Sequence, residues 1–462
     1  MKKTTVSKIT AAALTSVMVL GSASAAFAGE YVVKKGDCLS KIAPKFDTTW
    51  QALADMNKLA NPNLIFPNQV LQVPDKKVAA PVEEKKTEPV KETPKAEETK
   101  KEETAVKAEL TGLTVDDITL TGNKITPDFA PATEKYTMNV QSDVYAVKVT
   151  PEAAEGSVVT VAGEEVKPGD SAVVKLSQEY ADYDVELSTD IEVVVKNGDA
   201  ETAYTVTVVR ACDTDTYNLF KTESYTDEET GETIPYELYV PSNYDPDKEY
   251  PVVFALHGSG QRAQTTDMVL KRYQMATVWA KDSEKGHNEC IVLAPQCATE
   301  DANENWTTLM KYRNGGAESA FAAEPKLTAA YNLLLKVTDE YSVDKNRIYM
   351  TGLSAGGFAT YTLAIEHPET FAAIAPDAAG ADTEKVSALK GMPMWIFHAA
   401  DDPTVKPDEY LYPTLKALDE AGVEYKSTIY PEGAVFSPSA HFSWVPMYAD
   451  STFRDWLFAQ SK

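Results

Sequence analysis

The stretch Arg347–Pro368, RIYMTGLSAGGFATYTLAIEHP, decides how the C-terminal half of this chain folds. It begins as a short apolar run suited to a buried strand and ends in a helix-like segment closed by Pro368. Between them, Gly352-Leu353-Ser354-Ala355-Gly356-Gly357 surrounds one serine with small residues. A chain that turns sharply from strand to helix needs such neighbours, because the backbone is crowded and the serine must project freely. The same residues would also suit a tightly packed turn with no chemistry. A serine hydroxyl is a poor nucleophile without a base, so the choice depends on what the rest of the chain supplies.

The chain has five histidines: His257, His287, His367, His398 and His441. A strained strand-to-helix elbow carries its partners in the order serine, acid, histidine, which leaves only His398 and His441. The apolar run MPMWIF (392–397) is followed by HAADDPTV (398–405), a loop at the C-terminal end of a strand, where site residues collect. Asp401 and Asp402 are its candidate acids. After the next strand-like run, YKSTIY (425–430), the segment SPSAHFSW (437–444) brings His441, the only histidine beyond the acids. Each has an ordinary explanation: a solvated loop histidine, or an aspartate capping a helix before Pro403. Their order, each behind a strand, favours the nucleophilic reading of Ser354. His398 then reads as structural. A developing oxyanion needs two fixed N–H donors. One is the amide of Ala355. The other is expected from VVFALHGSGQ (252–261), where Ser259 or Gly260 offers an amide and His257 orders the loop.

Residues 212–462 alternate strand-like runs (YELYV, PVVFAL, CIVLAP, RIYMT, FAAIAP, MPMWIF, YKSTIY) with amphipathic stretches such as PKLTAAYNLLLKVTDEY. The pattern predicts a mostly parallel sheet covered by helices on both faces. With LHGSGQ, VLAPQ, SVDKNRIYMTGLSAGGFAT, HAADDPTV and HFSW, this region resembles the α/β-hydrolase superfamily. Within it the likeness is to secreted esterases related to polyhydroxybutyrate depolymerases and feruloyl or acetylxylan esterases, a group also labelled predicted peptidases. HAADDPTV resembles the hydrolase pattern His-Gly-x-x-Asp-x-x-Val, with Ala399 for the glycine, and so points to Asp402 rather than Asp401. The resemblance implies ester hydrolysis through an acyl-enzyme by Ser354, Asp402 and His441, with no cofactor or metal. The rival readings are a serine peptidase of prolyl-oligopeptidase type and a non-catalytic wall-binding protein. Trp306 would either line the cleft or sit in the core; Trp444 would pack in the last helix.

The N-terminal half has four parts. Residues 1–28 combine Lys2, Lys3 and Lys8, a short apolar run and Ala26-Phe27-Ala28, the pattern of a secretory signal cleaved after Ala28. Residues 29–75 pair a tyrosine strand, Gly-Asp-x-Leu, Ile-Ala, Asn-Pro and a Pro-x-Gln strand. They resemble the LysM carbohydrate-binding module, a small βααβ unit. Leu39, Ile42 and Phe46 are expected on one face of the first helix, and Leu53 and Met56 inward on the second. The family's groove corresponds here to Gly36, Asp37, Cys38, Leu39 and to Asn61, Pro62, Asn63, Leu64, Ile65. It implies an N-acetylglucosamine-containing partner such as peptidoglycan or a chitin-like glycan. Cys38 stands where the family usually has threonine. Residues 76–108 are Lys, Glu, Pro, Thr and Ala, which build no core; such a linker reaches about 30 Å as a coil and up to about 100 Å extended. Residues 109–211 carry short alternating runs (YTMNV, AVKVTP, SVVTVAG, SAVVKL, IEVVVKN, AYTVTVVR) that predict an all-β sandwich. They resemble the cadherin-like β-sandwich of bacterial surface proteins and read as a spacer or interaction module.

A chain of 462 residues with 43% hydrophobic side chains supports several cores. Its formal charge of −26 falls on the two C-terminal parts, which argues against a nucleic-acid partner. After the signal no run is long and apolar enough to span a bilayer, so the expected location is secreted and wall-associated, without a membrane partner. Cys290 and Cys297 flank a strand and would stand about 20 Å apart, too far to pair with each other; Cys212 could pair with either.

Overall fold

The structure, a computed structural model, describes residues 27–32, 42–46, 48, 50–57, 70–74, 107–176 and 187–462. It divides into two units, Met1–Lys101 and Glu102–Lys462. In the first, β1 (Phe27–Val32) pairs antiparallel with β2 (Val70–Pro74), and α1 (Trp50–Asn57) packs against them. The regular ladder begins at Gly29; between Phe27 and Gly29 the register shifts. Ile42, Ala43, Leu53, Leu71 and Val73 form the core, with Tyr31 edge-on to Phe46 at 5.6 Å. Met56, expected inward, is only half-buried, and Ala43–Phe46 forms a short 3-10 turn. The Asn57 side chain works as an extra rung for β2: its Nδ2 donates to Gln72 O (2.9 Å) and Leu53 O (2.7 Å), and its Oδ1 accepts from Gln72 N (2.6 Å). The candidate glycan residues Gly36 to Leu39 and Asn61 to Ile65 lie outside the described residues, as do Cys38 and most of the signal and linker segments.

The second unit opens with two sheets. β3 (Leu110–Asp117), β5 (Ala146–Ala153) and β8 (Ala172–Lys175) form one, in the order β3-β5-β8. β4 (Lys135–Val140), β6 (Val158–Val161), β7 (Glu164–Val166), β9 (Leu187–Asn197) and β10 (Ala200–Arg210) form the other, in the order β4-β10-β9-β6-β7. Alternation does what strand geometry requires: Tyr204, Val206 and Val208 of β10 point inward and their neighbours outward. β3 and β7 escape the alternating pattern in the sequence, since β3 contains Gly112 and ends in Asp116-Asp117, and β7 has three residues.

This sandwich is docked rather than hung on the chain as a spacer. Gln274 Nε2, from beyond the sandwich, donates to Gln141 Oε1 (2.7 Å) and to buried Asp143 Oδ1 (2.9 Å). Ser142 donates to Asp213 (2.8 Å), Tyr145 OH to Arg272 O (3.4 Å), and Lys148 Nζ to Gly433 O (3.0 Å) while lying over the Phe436 ring. The sandwich core and one face of the following sheet belong to one apolar cluster.

That sheet contains β11 (Phe220–Thr226), β12 (Thr233–Tyr239), β13 (Tyr250–Leu256), β14 (Ile291–Pro295), β15 (Val343–Leu353), β16 (Ala373–Asp377), β17 (Trp395–Ala399) and β18 (Lys426–Tyr430). Their order is β11-β12-β14-β13-β15-β16-β17-β18, parallel from β14 onward, with β12 antiparallel to both neighbours. Along β13, Tyr250, Val252, Phe254 and Leu256 face one core while Val253 and Ala255 face the other. A sheet covered on both faces needs such unbroken apolar strands. The first face is covered by α2 (Pro325–Glu340), α3 (Ala355–Glu366) and α4 (Leu411–Ala421); the second by α5 (Trp444–Ala449) and α6 (Ser451–Phe458). Pro325 starts α2, where a missing N–H costs nothing, and Gly422 ends α4 at φ 64°. The expected strands and helices are present; edge strand β11, polar and largely exposed, is the addition.

Candidate active site

β15 delivers Ser354 at its C-terminal end and α3 begins at the next residue. Ser354 sits at φ 53°, ψ −119°, a conformation that costs an L-residue roughly 1–3 kcal/mol. Its neighbours explain how the turn closes. A Cβ on Gly352 would lie 2.3 Å from Gly356 O, one on Gly356 1.9 Å from Leu256 O, and one on Gly357 2.4 Å from Asp377 O. β13, α3 and β16 therefore meet at hydrogen-only contact around the serine. Its amide donates to Asp377 O (3.0 Å).

Two loops from the same sheet end complete the cluster. His441 Nε2 stands 3.0 Å from Ser354 Oγ, and its Nδ1 stands 2.7 Å from Asp402 Oδ2. A carboxylate accepts only, so Nδ1 carries the ring proton and Nε2 is left to accept the serine proton. The other oxygen of Asp402 accepts from the amides of Thr404 (2.7 Å) and Val405 (3.0 Å). Burial raises the Asp402 pKa, but the bonds from His441 and the two amides outweigh it and hold the carboxyl below its ordinary value. Asp401 instead faces outward and accepts from Gly433 N (2.9 Å), which separates the two candidate acids by geometry. Trp444 stands edge-on to the His441 ring at 5.1 Å, fully buried at the start of α5, the penultimate helix. His398 is buried, with Nδ1 on Ala399 O (3.0 Å), and burial lowers its pKa.

The loop after β13, His257 to Gln261, approaches Ser354 closely: a Cβ on Gly258 would lie 3.4 Å from Ser354 Cβ. Each of its five carbonyls has a donor. Trp306 Nε1 reaches His257 O (2.9 Å), and His257 Nδ1 reaches Gly258 O (2.6 Å). Arg262 Nε binds Ser259 O (3.0 Å), Arg272 Nη1 binds Gly260 O (2.9 Å), and Gln296 Nε2 binds Gln261 O (2.8 Å). With the carbonyls held, the peptide planes are fixed, and with them the directions of the Ser259 and Gly260 amides. Ser259 and Gly260 open the 3-10 turn Ser259–Gln261, so their amides have no partner within it. Trp306 is a core residue, fully buried against the His257 ring, not a cleft wall. Arg262, Arg272 and Gln296 carried no role in the sequence reading, and Trp306 was read only as cleft wall or core. They come from four separate segments, and only the folded loop shows what they hold.

His257 accepts from Cys297 N at Nε2 (2.9 Å), so it is the neutral Nδ1–H tautomer, and burial pushes its pKa down to about 4. The unfolded chain takes up this proton near the ordinary value of about 6.5; the folded chain does so only near 4. His257 therefore contributes fully to stability above about pH 6.5, and that contribution is lost as pH falls toward 4, by about 3 kcal/mol in all. His257→Gln should flatten the acid limb of stability by that amount in urea melts between pH 7 and 4; parallel limbs for the two proteins would contradict the burial argument. Cys212, Cys290 and Cys297 are free thiols, so the pairing left open for Cys212 is not formed.

Comparisons with known proteins follow the same division of the chain. Residues 31–74 match the LysM domain model, 110–211 the cadherin-like β-sandwich domain, and 228–412 the family described as putative esterase. The chain is 29% identical over 132 residues to poly(3-hydroxyalkanoate) depolymerase C of Paucimonas lemoignei, which covers 28% of each protein. The match thus spans little more than a quarter of that curated relative. Among solved structures, a thermostable esterase is similar at 29% identity and TM-score 0.51, over 71% of this chain and 99% of that one. A ferulic acid esterase from Anaeromyces mucronatus is similar at 15% identity and TM-score 0.36, over 51% and 90%.

Proposed function

We propose that this chain, which carries a LysM domain, a cadherin-like sandwich and an esterase-family domain in that order, is an exported, cell-wall-associated serine carboxylic ester hydrolase. One observation carries the chemistry: the unbroken relay Ser354 Oγ, His441, Asp402 at 3.0 and 2.7 Å, with the serine on a strained turn. Ser354 attacks the ester carbonyl and its proton passes to His441 Nε2. The oxyanion is held by the amide of Ala355, at the N-terminus of α3, and by that of Ser259 or Gly260. His441 then gives the proton to the leaving alcohol oxygen, and the acyl group stays on Ser354. Water, deprotonated by His441, attacks the acyl carbon; the bond to Ser354 Oγ breaks, His441 returns the proton to Oγ, and the acid leaves. Asp402 keeps the ring oriented and stabilises the imidazolium. These steps use only side chains and amides of this chain.

Acylated polysaccharide, phenolic and polyester esters are the substrate classes that suit a hydrolase tethered to a glycan. The LysM domain supports peptidoglycan or a chitin-like glycan as the anchor. One experiment reads both halves. The full chain, mixed with insoluble peptidoglycan and with chitin, should sediment and carry its p-nitrophenyl butyrate activity into the pellet. Activity left in the supernatant with both glycans overturns the anchor; no activity in either fraction overturns the hydrolase.

A further inference from the structure

Ser259 has a second feature besides its amide. Its hydroxyl oxygen lies 2.8 Å from Asn305 Nδ2. The orientation of that amide group is fixed, because Asn305 Oδ1 accepts from the amide of Trp306 (3.0 Å), and Trp306 is in turn locked to His257 O. Asn305 is 1% exposed, so its side chain is held in place, with Oδ1 on Trp306 N and Nδ2 aimed at Ser259. An amide NH₂ donates and cannot accept, so Ser259 Oγ is the acceptor in this contact. The hydroxyl proton must therefore point elsewhere. Among the described residues no acceptor stands opposite it, and Ser259 is half-buried next to Gly258, whose Cα faces Ser354. A hydroxyl whose oxygen is pinned from behind and whose proton is unused is a preorganised donor.

We propose that the Ser259 hydroxyl is a third donor to the oxyanion, and that Asn305 is the positioning residue that directs its proton. The proposal rests on the hydrolase reading. It adds a side-chain donor to the two backbone amides: the O–H donates to the substrate oxygen as negative charge develops there, and no bond to Ser259 is made or broken.

The test separates this proposal from the hydrolase reading. Ser354→Ala must abolish turnover; if it does not, the hydrolase reading fails whatever Ser259 does. Ser259→Ala keeps the backbone amide and removes only the hydroxyl. It should lower kcat by about 10²-fold, with KM near that of the parent, and weaken a boronic acid transition-state analogue by a similar factor. Ser259→Thr should recover most of the loss. Asn305→Ala should lower kcat in the parent but add little in the Ser259→Ala background, because its effect passes through the hydroxyl. A role confined to loop stability would instead lower the melting temperature and leave kcat and analogue affinity within about twofold. Unchanged kcat and analogue affinity in folded Ser259→Ala overturns the proposal. If Ser259→Ala does not fold, an Asn305→Ala variant with parental kcat overturns it equally.

Discussion

Ser354→Ala should reduce p-nitrophenyl butyrate hydrolysis by about 10⁶-fold and abolish labelling by a fluorophosphonate probe, with little change in the melting temperature. The activity loss follows from the relay: without Oγ there is no atom for His441 to deprotonate, and the remaining donors catalyse only weakly. The small effect on stability follows from the backbone. Alanine keeps the Cβ and therefore the same strain at φ 53°. The serine side chain makes no capping bond to α3, so none is lost. Only His441 Nε2 loses a partner, and the vacated Ser354 position is half-buried, so water can replace it. Ser354→Gly gives a second readout with the opposite sign. It should be equally inactive yet more stable than the parent, by roughly the strain of 1–3 kcal/mol less the added freedom of the unfolded glycine. Retained turnover in Ser354→Ala would overturn the nucleophile. A large loss of stability there would overturn the claim that the strain is held by the glycine contacts and not by the hydroxyl.

The serine, the acid loop and the histidine could be read in the sequence because each follows an apolar run, and a parallel sheet puts the ends of such runs on one edge. Residue type alone did not separate Asp401 from Asp402; only the resemblance of HAADDPTV to the His-Gly-x-x-Asp-x-x-Val pattern favoured Asp402. What separates them is which carboxyl turns inward to the Thr404 and Val405 amides. The proposed oxyanion loop was legible as a glycine-rich turn but not as a pinned one. Its donors lie at 257, 262, 272, 296 and 306, and no local pattern links a carbonyl to an arginine twelve residues away. The docking of the sandwich was hidden for a similar reason. Its seam is made by Gln141, Ser142, Asp143 and Gln274, residue types that in a sequence read as exposed surface. β11 escaped because an exposed edge strand has no apolar alternation to show.

Gly356→Ala tests how far the elbow depends on packing, and its expected effect is nearly as large. The added methyl would stand 1.9 Å from Leu256 O, 2.5 Å from Leu256 C and 2.8 Å from His257 O. All three are backbone atoms, so no rotamer change can make room. They also belong to the end of β13 and the start of the proposed oxyanion loop, which the bonds from Trp306, His257 and Arg262 hold in place. Either α3 moves away from β13 or the loop moves away from α3. In both cases the amide of Ala355 and those of Ser259 and Gly260 separate. The variant should lose about 3 kcal/mol or more in urea unfolding, as overpacking against unyielding neighbours does. Any folded fraction should lose 10²-fold or more in kcat through the displaced donors. Gly316→Ala is the control: it lies on the surface without a positive φ, its nearest neighbour would be Lys311 O at an ordinary 3.5 Å, and it should change neither quantity appreciably. Parental stability and activity in Gly356→Ala would mean that α3 and β13 do not approach as closely as the elbow requires, and the contact holding Ser354 in place would have to be sought at Gly352 and Gly357 alone.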